Sequence, residues 1–345
     1  MAADMSKADA QYVADLRAAF ADLPADVMVH RERDGRRSVL VHVRGYMAAL
    51  AKRDASAPTV AEWQTELEAL PDSEWVQGSF RGHPVPRLVR WHQNCGFGYK
   101  YSGSWHPATP PSPTTVRLQA ALNTDLAQRL HRGGGSEGGR PAGDPLLIVD
   151  LASVLKNRYR HGNDSVAAHS DAQPAFGVDP TIASLSAGAA RPFDVFPMSD
   201  KVREAEWGTR RNELAGLVKR ADAQIGAATA KGNESLAAQW RVMRTEAATM
   251  LANLSVDTSG PAPAAWVPGR PVRIVIESGD LVLMGGAMQD WWHHAAPKCS
   301  PDGRALRAAQ PAADATRLAV RHNATFRPFP LPAQAALRFG EARSQ

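Results

Sequence analysis

The chain has only two cysteines, Cys95 and Cys299, among 345 residues. That is too few for a disulfide framework, and neither sits in a CxxC spacing suited to zinc. No run of 18 apolar residues is present to span a bilayer, and Met1 to Ala10 carry charges without the apolar stretch of a secretory signal. A cytoplasmic, reducing setting is therefore expected, without membrane attachment. Nor is there a large excess of one charge: 40 Lys and Arg stand against 35 Asp and Glu, giving a formal charge of +5 and a pI near 9.4. This modest basic balance favours a polyanionic partner without fixing a fold. What is present, 44% hydrophobic and 22% charged residues, is ordinary globular material, long enough for one large domain with additions.

Helical period marks residues 8–22, where Tyr12, Val13, Leu16 and Phe20 recur, and again Val60, Trp63, Leu67 and Leu70. Residues 1–75 are expected to form a helical cover with one short strand at Ser38 to Val43. From Val76 the texture changes to short apolar runs broken by Gly and Pro, which predicts strands and exposed loops. Residues 132–145 begin with Arg132-Gly133-Gly134-Gly135-Ser136-Glu137-Gly138-Gly139, a spacer composition. Further strands are expected at Leu146 to Leu155, Ile182 to Ser186, Phe193 to Phe196, Val272 to Ile276, Leu281 to Met284 and Leu318 to Phe326. Many short strands favour a mainly β (α+β) sandwich or roll over a parallel sheet. Between Ser199 and Pro261 the period returns to 3.6, with Gly232-Asn233 as stop and N-cap, predicting an inserted helical hairpin. Nine Lys and Arg nearly cancel eight Asp and Glu in it, so a structural or partner-docking insert fits better than a DNA-binding arm.

Three segments can converge on a metal. His169-Ser170-Asp171 puts two ligand side chains on one face if extended, because residues i and i+2 of a strand project together. Trp292-His293-His294 offers two neighbouring imidazoles on opposite faces, of which only one can join them. Two His and one carboxylate form the facial set of an oxygen-activating Fe(II) centre, with coordination positions left open. Arg321-His322-Asn323-Ala324-Thr325-Phe326-Arg327 adds guanidinium groups for an anion. An HxD pair alone also occurs on ordinary surface loops; the rest of the pattern raises its weight.

Together His169-x-Asp171, Trp292-x-His294-x-x-Pro297 and Arg321-x-Asn323-x-Thr325-x-Arg327 resemble the signature of the AlkB-like Fe(II)/2-oxoglutarate dioxygenases. Asn157-Arg158-Tyr159, Ile182-Ala183-Ser184-Leu185-Ser186, Gly279-Asp280-Leu281, Pro86-Arg87 and Tyr99-Lys100-Tyr101-Ser102-Gly103 extend the likeness from Val76 to Pro330, outside the hairpin. The resemblance implies a double-stranded β-helix, or jelly roll, across residues 76–345, with a substrate lid at 76–132 and the insert at 199–261. It implies Fe(II) held by His169, Asp171 and His294, and 2-oxoglutarate held by Arg321 at its distal carboxylate with Asn157, Tyr159, Asn323 and Arg327 around it. With O2 as the second cosubstrate, the implied reaction is oxidative removal of an N-alkyl group from a base in DNA or RNA, releasing formaldehyde, succinate and CO2.

Such a base must be single-stranded or flipped, and held by stacking. Trp91, Tyr99 and Tyr101 are the candidates, although each is also an ordinary core aromatic. Residues 76–132 carry seven Lys and Arg against one acid, Asp125, as phosphate contact would require. Gln173 stands where nucleic-acid-repairing members usually have a carboxylate, which weakens the case for a cationic base. The alternative is oxidation of a protein side chain or small molecule by the same centre; a non-catalytic scaffold is disfavoured because ligands and arginines are all present. A monomer is expected.

Overall fold

Side-chain alternation along short apolar segments builds two antiparallel sheets, and the face each residue takes decides which core it joins. The computed structural model describes residues 6–80, 83–94, 98–101, 104–131, 146–171, 176–255, 269–299 and 320–329. Along the chain, α1 (Lys7–Ala19) precedes the hairpin of β1 (Ala25–Arg31) and β2 (Arg37–Val43), then α2 (Tyr46–Arg53) and α3 (Val60–Ala69). The short pair β3 (Ser79–Phe80) and β4 (His83–Pro84) leads to β5 (Leu88–Gln93), the pair β6 (Tyr99–Tyr101) and β7 (Ser104–His106), and α4 (Pro113–His131). Next come β8 (Ser153–Tyr159), β9 (Val166–His169), β10 (Ile182–Gly188) and β11 (Arg191–Pro197), followed by α5 (Asp200–Ala230) and α6 (Glu234–Leu254). The last described elements are β12 (Val272–Ile276), β13 (Leu281–Gly286), α7 (Met288–Trp291), β14 (Trp292–Ala296) and β15 (Arg321–Arg327).

Seven strands form the larger sheet in the order β1-β2-β13-β10-β15-β8-β5, and four form the smaller, β12-β11-β14-β9. Along β15, Ala324 and Phe326 face one way and pack with Ala183, Leu185 and Ala187 of β10, Leu283 of β13, and Leu16, Met47, Trp63, Leu118 and Leu122 from four helices. The helices therefore cover the outer face of the larger sheet. The opposite face meets the smaller sheet through Leu155, Ile182, Val282 and Met284 against Phe193 and Val195. Gly286 adopts φ +60 where β13 turns towards α7, and an added Cβ would lie 2.1 Å from the Arg37 carbonyl oxygen. Only glycine allows that approach.

The first 75 residues do more than cover the sheet. β2 pairs with β13 from Val43↔Leu281 to Ser38↔Gly286, and β1 extends the sheet by one more strand. β1 is absent from the sequence reading because its side chains are nearly all half-buried, with no clean alternation. α4 was likewise not anticipated, although Leu118, Leu122, Leu126 and Leu130 recur every fourth residue and all are buried; the proline-rich stretch before it masked the signal, although proline suits a helix's first turn. Between α5 and α6, Gly232 takes φ +68 and the Asn233 side chain accepts from the Leu236 N–H, the stop and cap read from Gly-Asn. Gln173 and the Gly-rich stretch 132–145 lie outside the described residues.

Candidate active site

The inward face of the larger sheet carries polar residues in a line where an ordinary sandwich would have aliphatics. On β15 these are Arg321, Asn323, Thr325 and Arg327; on β8, Asn157 and Tyr159; on β10, Ser184. The pleat sets them two apart, and the antiparallel register puts Arg321 opposite Tyr159 and Asn323 opposite Asn157. From the smaller sheet come His169 at the end of β9, Asp171 just beyond it, Phe193 of β11 and His294 of β14, with His169 and His294 in direct register. They enclose a cavity of about 40 Å³, more than the roughly 10–15 Å³ one water needs.

His169, Asp171 and His294 bring one ligand atom each within 4.8 Å of the others. His169 Nε2 lies 3.7 Å from Asp171 Oδ1, and His294 Nε2 lies 3.9 Å from Asp171 Oδ2. The Ala167 carbonyl accepts from His169 Nδ1 at 2.8 Å. A carbonyl cannot donate, so this bond puts the proton on Nδ1 and leaves the Nε2 lone pair facing Asp171. Burial, and then the neighbouring His169, push His294 down to about 3, and burial also lowers His169. Both imidazoles are thus neutral at pH 7, the form that binds metal. Burial opposes ionisation of Asp171, but the Arg327 guanidinium outweighs it and holds the carboxyl well below the usual carboxylate range.

Asp171 is fixed by Arg327, whose Nη2 and Nε donate to Oδ2 at 2.8 and 3.1 Å, and by its own N–H, which donates to Gln289 Oε1 at 2.8 Å. Its Oδ1 is buried without a hydrogen-bond partner. A buried carboxylate oxygen left unsatisfied beside two neutral Nε2 atoms fits a divalent cation. His293 points the other way and bonds Glu206 of α5 at 2.8 Å, so of the two adjacent imidazoles His294 joins the cluster.

Arg321 is 2% exposed, and its Nη2 donates to Ser186 Oγ at 2.9 Å while Nε has no hydrogen-bond partner. Among the described residues no carboxylate pairs with it, and burial pulls its guanidinium below the usual range. The guanidiniums of Arg321 and Arg191 each lie 5.2 Å from the centre of the Tyr159 ring. A buried cation without a counter-charge, facing a cavity, suits a carboxylate ligand that it can grip in bidentate fashion. Asn157 and Asn323 form a chain: Arg87 Nε donates to Asn157 Oδ1 at 2.9 Å, Asn157 Nδ2 to Asn323 Oδ1 at 3.3 Å, and Asn323 Nδ2 to Ser184 Oγ at 2.7 Å. Among the described residues the lining holds three guanidiniums, Arg87, Arg321 and Arg327, against the single acid Asp171.

A model of the 2OG-Fe(II) oxygenase superfamily matches residues 46–327. The chain belongs to that superfamily. Over part of its length it is AlkB-like in sequence. It is 54% identical over 113 residues to alpha-ketoglutarate-dependent dioxygenase alkB homolog 3 of Mus musculus, covering 33% of this chain and 32% of that protein. Against the Homo sapiens protein of the same name it is 54% identical over 144 residues, covering 39% and 41%. The chain thus spans less than half the length of these relatives. The solved structure of OsALKBH1 aligns with 88% of this chain and all of its own at 13% identity and a TM-score of 0.40.

The expected substrate residues fare differently. Trp91, placed in advance among the stacking candidates, is a core residue: it is 1% exposed, packs in the cluster between the sheets, and does not line the cavity. β5 lies at the edge of the larger sheet, and Trp91 there opposes Leu155, whose apolar side chain it covers. Tyr99 and Tyr101 sit on β6, but their side chains, like Gln173, fall outside what is described. Two of the seven basic residues of 76–132 are answered by acids. Arg90 pairs with Glu74, and Arg129 with Asp22 and Asp125, acids mostly outside the segment. Arg327, expected beside the cosubstrate, is engaged with Asp171. Missed altogether were Gln289 and Glu206, which lie in no recognisable motif, and the cavity role of Arg87, which the Pro86-Arg87 pair placed only in the lid. Among the described residues no helix is long and apolar enough to cross a membrane.

Proposed function

We propose that the chain is an oxidative demethylase of N-alkylated nucleobases in DNA or RNA, built on a jelly roll formed by its two sheets. His169, Asp171 and His294 hold Fe(II); Arg321 takes the distal carboxylate of 2-oxoglutarate, with Asn157, Tyr159 and Asn323 lining its path and Arg327 steadying Asp171. The observation that carries this reading is the pairing, in one cavity, of a His-Asp-His cluster bearing an unsatisfied carboxylate oxygen with a buried, unpaired arginine. Local identity to proteins named as alkB homolog 3 supports the nucleobase as substrate. Bound iron and its cosubstrates supply the oxidising chemistry, and this chain's residues bind, orient and exclude water. Neutral imidazoles present their Nε2 atoms, Arg327 keeps Asp171 ionised, and Phe193, Met284, Leu155 and Ala296 close the cavity with apolar surface. In the overall balance an N–CH3 group, O2 and 2-oxoglutarate give N–H, formaldehyde, succinate and CO2.

The test is anaerobic loading with Fe(II), then air, 2-oxoglutarate and a methylated single-stranded DNA or RNA oligonucleotide, scoring succinate and loss of the methyl mass. Coupled demethylation is expected. Succinate without demethylation would move the substrate to a protein side chain or small molecule, a reading favoured by the pairing of Arg90 and Arg129 with acids; neither product from iron-loaded protein would refute the catalytic assignment.

A further inference from the structure

The inserted hairpin is anchored at the metal-ligand strands. On α5, Arg203, Glu206, Trp207 and Arg210 fall at helical spacing on one face. Trp207 Nε1 donates to the Asp290 carbonyl at 2.8 Å, Arg210 Nη1 to Asp290 Oδ1 at 2.7 Å, and the Arg203 guanidinium lies 4.4 Å from the Trp291 ring. This face therefore grips α7, whose Gln289 holds the Asp171 N–H. Glu206 goes further, because its Oε1 accepts from His293 Nε2 at 2.8 Å. His293 adjoins His294. The insert thus reaches the residue beside His294 through Glu206, and Asp171 through α7 and Gln289.

We propose that Glu206 is a positioning residue for the metal centre, making the inserted hairpin part of the frame that sets ligand spacing. The proposal rests on the triad reading given above. By fixing His293 outward, Glu206 sets the strand orientation that turns His294 inward. Second-sphere contacts of this kind limit the orientations a ligand samples, and their loss typically lowers metal affinity by about 10–100-fold.

The experiment uses the full chain and Mn(II), a redox-silent probe, titrated anaerobically into wild type, E206A, E206Q, H293Q and E206A/H293Q, with thermal unfolding of each metal-free protein measured alongside. E206A is expected to weaken Mn(II) binding by about tenfold, the low end of that range because the contact is one residue removed from the ligands. E206Q keeps an acceptor oxygen for His293 and is expected to recover most of the affinity, and the double variant to be no weaker than E206A alone. Wild-type affinity in E206A, with only its melting temperature lowered, would overturn the proposal and leave the triad standing. If E206A fails to fold, H293Q decides: wild-type affinity in it would overturn the proposal. Absence of Mn(II) binding in the wild type itself would overturn the triad, and this proposal with it.

Discussion

Arg327→Met separates the two roles open to this arginine. Arg327 and Asp171 are each almost wholly buried and joined by two hydrogen bonds, so removing the guanidinium strands a carboxylate away from water. Breaking one side of such a pair costs about 3–5 kcal/mol. At about 2–4 °C per kcal/mol for larger domains, the metal-free variant should melt on the order of 10 °C lower. Methionine fills much of the volume against Phe176, whose ring lies 5.4 Å from the guanidinium, which limits the packing loss. Divalent metal then reverses the sign of the comparison. A cation bound by Asp171 supplies the missing counter-charge, and without Arg327 it no longer competes with a guanidinium for that carboxylate, so Mn(II) should raise the melting temperature of the variant by more than that of the wild type. The assay is calorimetry at fixed pH with and without saturating Mn(II). An equal loss in both conditions would show that Arg327 stabilises by packing alone, and no loss in the metal-free protein would refute the buried pair.

Arg321→Ala should raise the apparent KM for 2-oxoglutarate by about 30-fold or more, the scale of truncating a buried charged contact, while leaving Mn(II) affinity nearly unchanged; an unaltered KM in steady-state kinetics would place the anion elsewhere. Glu32 provides a test independent of catalysis. Burial, against an opposing hydrogen bond from Trp292, pushes its carboxyl up to about 7 from 4.5. A raised folded-state value means stability that is present below pH 4.5 and lost as the pH climbs through 7, amounting to about 3 kcal/mol across that window. Glu32→Gln keeps an acceptor for Trp292 Nε1 and should remove that loss, so wild type and variant should diverge in urea titrations between pH 5 and 8; parallel curves would refute it.

The alternation Arg321, Asn323, Thr325, Arg327 was legible in sequence because the pleat has a period of two, and an antiparallel partner two strands wide is enough to turn such a line into a polar wall. His169 and Asp171 were legible as a pair for the same reason, although β9 ends at His169 and Asp171 lies just beyond it. What sequence could not supply was partnership across long separations. Nothing in Arg90 or Arg129 announces that Glu74 and Asp22 neutralise them, so counting charges in residues 76–132 overstated the positive surface. Trp91 carries the same letters as a stacking aromatic, and only the register of β5 against β8 assigns it to packing. Likewise Glu206 is one acid among eight in the insert until the fold of α5 sets it against His293.

The charges that line the cavity also bear on which base is accepted. Arg87, Arg321 and Arg327 outnumber Asp171 by two positive charges. A divalent metal and dianionic 2-oxoglutarate cancel each other, so the loaded cavity keeps that positive excess. A cationic base such as 3-methylcytosine or 1-methyladenine then approaches like charge in a poorly screened setting, whereas 3-methyluracil or 3-methylthymine, being neutral, does not. Residue 173 is glutamine and brings no compensating carboxylate. The expected result is a higher kcat/KM on oligonucleotides carrying the neutral lesion, with Gln173→Asp shifting the ratio towards the cationic one. A wild-type preference for 3-methylcytosine over 3-methyluracil at equal sequence context would refute the electrostatic argument, because it would require a counter-charge that neither the cavity lining nor position 173 contains.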